Sequence, residues 1–102
     1  MNEEKFQFNS AYNMLFSNRV AGIILAYLCH RIKRTHTPFR ISDRELSEKL
    51  NITTNEIRTA KKYLGYRDFI KMELKGIPAT TEYTVDIEKM ESRIKYLKKM
   101  VY

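Results

Sequence analysis

The stretch ISDRELSEKLNITTNEIRTAKKYLGYRDFI, residues 41–70, decides how this chain folds. It holds two helix starts of the same construction. Ser42 is followed three positions on by Glu45, and Thr53 three positions on by Glu56. In such a pair the hydroxyl accepts from an orphan backbone N–H, while the glutamate reaches back to the N–H of the capping residue. Leu46 and Leu50 then line one face of the first segment, and Ile57, Ala60 and Leu64 one face of the second. Asn51-Ile52 is the break between them. The stretch therefore reads as two short capped helices joined by a tight turn, the second one studded with Thr54, Asn55, Arg58 and Lys62.

Upstream lies the most hydrophobic run of the chain, VAGIILAYLC from Val20 to Cys29. Its length is about half of the ~20 residues that span a bilayer. The opening Asn2-Glu3-Glu4 lacks the positive charge of a signal peptide, so no membrane partner is expected. The run reads as a core helix over residues 18–34, capped by Ser17. Val20, Ile23, Ile24, Leu25, Tyr27 and Leu28 make it apolar nearly all round, so other elements must cover it. Arg31, Lys33, Arg34 and His36 suit its C-terminal end, and Pro38 stops it. Ahead of it, Phe6 and Phe8 alternate with Lys5, Gln7 and Asn9 in a brief strand pattern. Tyr12, Leu15 and Phe16 follow with the spacing of one helical turn.

Between the core helix and Ser42, Phe39-Arg40-Ile41 alternates as a short strand. Beyond residue 70, Ile70, Met72 and Leu74 share one face while Lys71, Glu73 and Lys75 share the other. Gly76-Ile77-Pro78-Ala79 is turn material, and Tyr83-Thr84-Val85 is a returning strand. These make a hairpin over residues 70–85. Asp86 caps a last helix over residues 87–101, whose apolar seam is Ile87, Met90, Ile94, Leu97 and Val101, with Lys95, Lys98 and Lys99 outside it. A seam of about two heptads fits a homodimer contact, the plain alternative being a helix that packs back on its own domain.

A chain of 102 residues, 43% apolar and 30% charged, can bury one modest core, so a single domain over 1–102 is expected. The net charge of +7 and a pI of about 9.6 favour an anionic partner. Cys29 is the single cysteine, which excludes an internal disulfide and a cysteine-based metal site and fits a reducing cytoplasm. His30 and His36 have no Cys, Asp or Glu near them at ligand spacing. Gly22, Gly65 and Gly76 are too scattered to cradle a phosphate. Glu45 and Glu56 are engaged as caps. The expectation is a non-enzymatic protein without metal, cofactor or small-molecule ligand.

In order the elements run helix, strand, helix, helix, strand, turn, strand, helix: mainly α with a small antiparallel sheet. SDRELSEKLNITTNEIRTAKKYL followed by FIKMELKGIPATTEYTVD resembles the winged helix-turn-helix domain of small bacterial and phage regulators. It is particularly similar to the domains of phage and plasmid replication initiators. Leu46, Leu50, Thr53, Ile57 and Leu64 match in the two helices, and Phe69-Ile70 and Gly76-Ile77-Pro78 through Tyr83 match in the hairpin. The resemblance covers roughly Val20 to Asp86. It implies a three-helix core, a helix-turn-helix over 42–67, a wing over 70–85 and an extra C-terminal helix. Two departures stand out. Asp68 occupies the family's glycine position, where an aspartate tolerates a left-handed backbone. Arg67 stands where a buried leucine is usual, and Gly65 arrives early, which ends the second helix a turn short of the family pattern.

The resemblance implies a partner, double-stranded DNA. A helix seated in the major groove buries one stripe and turns the opposite one to the base edges. With Ile57, Ala60 and Leu64 inward, the outward set is Thr54, Asn55, Arg58, Thr59 and Lys62, beside the Thr53 cap. Arg58 suits guanine, Asn55 adenine, and Thr54 a thymine methyl or a phosphate. Lys61 and Lys62 suit phosphates. Arg40, Ser42 and Arg44 stand at the N-terminal end of the first helix of the pair, where backbone N–H groups favour a phosphate. Lys71 and Lys75 are placed for the neighbouring minor groove or backbone. The implied role is transcriptional regulation or replication initiation of a phage or plasmid type element. A winged helix used as a protein-interaction module is the alternative.

Overall fold

Both capping pairs close in the computed structural model, which describes residue 16 and residues 18–35 and 37–101. Ser42 Oγ accepts from Glu45 N at 3.1 Å while Ser42 N donates to Glu45 Oε1 at 3.3 Å. Thr53 Oγ1 accepts from Glu56 N at 3.1 Å while Thr53 N donates to Glu56 Oε1 at 3.0 Å. These caps start helix α2 (Asp43–Leu50) and helix α3 (Thr54–Leu64). The turn between them is fastened from both sides. Asn51 takes the left-handed conformation, φ 56° and ψ 48°, which asparagine accepts more readily than most residues. Ile52 N donates to Ser47 O at 3.2 Å, and the Ser47 hydroxyl donates to Ile52 O.

The remaining elements are helix α1 (Arg19–Thr35), strand β1 (Phe39–Ile41), strand β2 (Ile70–Lys75), strand β3 (Thr80–Val85) and helix α4 (Ile87–Val101). The architecture is mixed α/β, four helices with a small three-stranded antiparallel open sheet in the order β1-β3-β2. Phe39 pairs with Tyr83 and Ile41 with Thr81; on the other side Ile70 pairs with Val85, Met72 with Tyr83 and Leu74 with Thr81. One sheet face therefore carries Phe39, Ile41, Thr81, Tyr83, Val85, Ile70 and Met72 toward the helices. The α1 residues Ala21, Ile24, Leu25 and Leu28 lie at the centre of the core, fully buried with Leu46, Ile57, Ala60, Leu64 and Tyr83. Among the described residues no helix is long and apolar enough to cross a membrane.

Several local expectations are corrected. Helix α1 is capped by Asn18, whose Oδ1 accepts from Ala21 N at 2.9 Å. Strand β3 begins at Thr80, three residues earlier than its β-branched and aromatic core suggests. Leu74 follows the strand alternation but lies past the edge of the helices, 72% exposed. The expected strand at residues 5–9, Tyr12, Leu15, the Ser17 cap and His36 lie outside the described residues.

Cys29 is buried, as its apolar neighbours imply. Its thiol donates to Met90 Sδ at 3.5 Å, which links α1 to α4. Burial pushes that thiol up to about 12, so it stays protonated and unreactive across the physiological range. Asp86 caps α4, with Oδ1 accepting from Lys89 N at 3.1 Å.

Candidate nucleic-acid interface

Helix α3 has the two-sided build that a reading helix needs. Ile57, Ala60 and Leu64 are fully buried. Around the rest of the helix Asn55, Arg58, Thr59 and Lys62 are exposed and Thr54 is half-exposed. Glu56 is the one acid of α3, and its carboxylate is held by the Thr53 cap. The face is therefore polar and positive. Arg58 is already oriented: its Nη1 donates to Asn55 Oδ1 at 2.9 Å, one turn back. That bond leaves the remaining N–H groups of the guanidinium available for a fork with a base edge.

The two lysines next to this face do different things. Lys62 is exposed. Lys61 turns inward, and its Nζ donates to Asp43 Oδ1 at 3.0 Å and to Thr81 Oγ1 at 2.9 Å. It thereby ties α3 to the first residue of α2 and to the central strand, where it satisfies the buried Thr81 hydroxyl. Its geometry is that of a structural bridge, in place of the phosphate contact expected from its charge.

At the start of α2, the hydroxyl and backbone N–H of Ser42 are both engaged with Glu45. Thr53 is engaged in the same way with Glu56. Arg44 extends into solvent, 3.6 Å from Glu48 one turn on. Exposed pairs of this kind are weak, so a phosphate can displace Glu48 at little cost. Arg40 crosses from β1 to the hairpin, donating Nη2 to Lys75 O at 3.1 Å and Nε to Thr80 Oγ1 at 3.3 Å. Lys71 and Lys75 each stand 3.4 Å from Glu73, and hydrogen bonds and charge from Lys71 first, then Lys75, hold that carboxylate below its usual range.

The segment joining α3 to β2 departs from what the family pattern implies at Asp68. α3 ends at Leu64 with Gly65 as its cap, as the early glycine predicts. Among the described residues the left-handed non-glycine position is Asn51, so Asp68 does not act as a glycine substitute. Its carboxylate instead takes Lys89 Nζ at 3.0 Å and stands 3.9 Å from Arg93, anchoring α4. The Lys89 hydrogen bond is the main reason its carboxyl sits below its usual range. Arg67 keeps partly buried company after all, with its guanidinium 5.9 Å from the centre of the Phe16 ring.

The seam of α4 packs on its own domain. Met90 is buried in the core, and Ile87, Ile94 and Leu97 pack against it half-buried; the Val101 side chain lies outside the described residues. Sequence reasoning found the α3 face, because its helical period is local. It missed the inward role of Lys61, the Arg40 clamp and the Asp68 anchor, whose partners lie 18 or more positions away. No family model, curated protein or solved structure matches this chain.

Proposed function

We propose that this chain is a winged helix-turn-helix protein that binds duplex DNA without enzymatic activity. In this reading α3 enters the major groove and the β2–β3 hairpin is the wing. The role we assign is transcriptional regulation or replication initiation of a phage or plasmid type element, in the cytoplasm. The observation that carries it is the α3 face, where Asn55, Arg58, Thr59 and Lys62 are exposed opposite a stripe buried to completion. A helix that merely covers a core has no need of a tethered arginine and an outer face whose one acid, Glu56, is held by its cap. The DNA reading supplies a use for both.

Selection of bound duplexes from a random pool, repeated with Arg58→Ala, tests this. The unmodified protein is expected to enrich a motif containing guanine. The variant is expected to bind that motif about ten- to a hundredfold more weakly and to lose preference at that position, as for the loss of one bidentate base contact worth ~1–3 kcal/mol. Equal enrichment by both proteins would remove Arg58 as a reader. An absence of duplex binding even at low salt would favour the protein-interaction module instead.

Dimerisation through α4 belongs to the same proposal in a narrowed form. Met90 is enclosed by its own domain, so a second copy has the exposed parts of Ile94 and Leu97 to cover. Light scattering is expected to give a dimer mass for the unmodified protein and a monomer mass for Leu97→Lys. A monomer mass for both contradicts the dimer.

A further inference from the structure

The hairpin tip carries apolar side chains where a solvated turn has no use for them. Ile77 is 102% exposed and Leu74 is 72% exposed, with Pro78 beside Ile77 in the turn. A lone exposed apolar residue is ordinary. This tip differs because it is held in place. Arg40 hydrogen-bonds Lys75 O and Thr80 Oγ1, on either side of the Gly76–Ala79 turn. Gly76 takes φ +83°, a conformation that favours glycine, and the Arg40 guanidinium lies where a Cβ would stand. Arg40 and Lys75 lie beside the turn, and Lys71 stands toward the base of the hairpin, with Glu73 and Glu82 between them on the same sheet face. Both Glu73 oxygens already face lysines.

We propose, on the basis of the DNA-binding reading above, that this tip is an apolar wedge for duplex DNA: Ile77 enters between adjacent base pairs from the minor groove. Leu74 and Pro78 follow against the groove wall, and Arg40, Lys71 and Lys75 face the flanking phosphates. Strand β2 has six residues, which at ~3.3 Å each carries the tip about 20 Å from the base of the hairpin. A groove about 6 Å wide excludes a helix but admits a narrow turn. An inserted isoleucine partly unstacks one step and kinks the duplex, most easily at a flexible TA or CA step. Covering Ile77 in this way strengthens binding about tenfold, the ordinary gain from burying part of such a side chain.

The test uses short duplexes recovered by the unmodified protein from a random pool, labelled at both ends for energy transfer. The unmodified protein is expected to shorten the end-to-end distance. Ile77→Ala is expected to bind about tenfold more weakly and leave the duplex straighter, while Ile77→Met keeps both properties. Because Ile77 touches only solvent, all three proteins are expected to share one circular dichroism spectrum. Unchanged affinity and bend in Ile77→Ala would overturn the wedge while leaving duplex binding by α3 in place. A pool that yields no bound duplex would overturn the α3 reading and the wedge with it. A dimer mass that falls to monomer in Ile77→Ala would assign the tip to contact between copies and overturn the wedge.

Discussion

Leu64→Ala is expected to destabilise the protein by about 3 kcal/mol, within the ~2–5 kcal/mol range for a leucine removed from a packed interior. Leu64 is fully buried in the last turn of α3, within the one cluster that also holds Ile24, Leu25 and Leu28 of α1. The truncation loses the transfer free energy of the side chain and leaves a cavity among core side chains that relax only partially around it. For a domain whose total stability is on the order of 5–15 kcal/mol, this is a large fraction. Thermal denaturation should show a fall in Tm of roughly 12 °C or more. Lys62→Ala, two positions away on the exposed face, should stay within ~0.5 kcal/mol of the parent. A Leu64→Ala protein as stable as Lys62→Ala would mean that α3 does not pack on α1 as described.

The parts of this fold that could be read from the residues are those set by neighbours three or four positions apart. The boxes Ser42/Glu45 and Thr53/Glu56 fixed where α2 and α3 begin, and the alternation from Ile70 fixed β2. Tertiary partners escaped the reading because charge alone does not say where a long side chain turns. Lys61 and Lys62 are chemically identical in the sequence, yet a rotation of about 100° along the helix directs one to Asp43 and Thr81 and the other to solvent. Asp68 was legible as a departure from a glycine pattern but not as an anchor, since Lys89 and Arg93 come beside it only once α4 has docked. Likewise Leu74 obeys strand alternation, and its exposure depends on how far the helices extend over the sheet.

The second large effect concerns binding rather than stability. Arg40, Arg44, Lys62, Lys71 and Lys75 are all exposed on the elements that the proposal turns toward DNA, with Arg58 kept for a base edge. Lys61 is left out because its ammonium is already enclosed by Asp43 and Thr81. The carboxylates near the others, Glu48 and Glu73, form exposed pairs that a phosphate can replace. If these five cations meet phosphates, the slope of log affinity against log salt is about −4.5, and a fourfold rise in salt weakens binding roughly five-hundredfold. The measurement that tests the central claim most directly is therefore the affinity of the unmodified protein for a duplex at about 50 and 200 mM salt. The prediction is a loss of about five-hundredfold across that interval; an affinity that does not change with salt, or no duplex bound at the lower concentration, would contradict it.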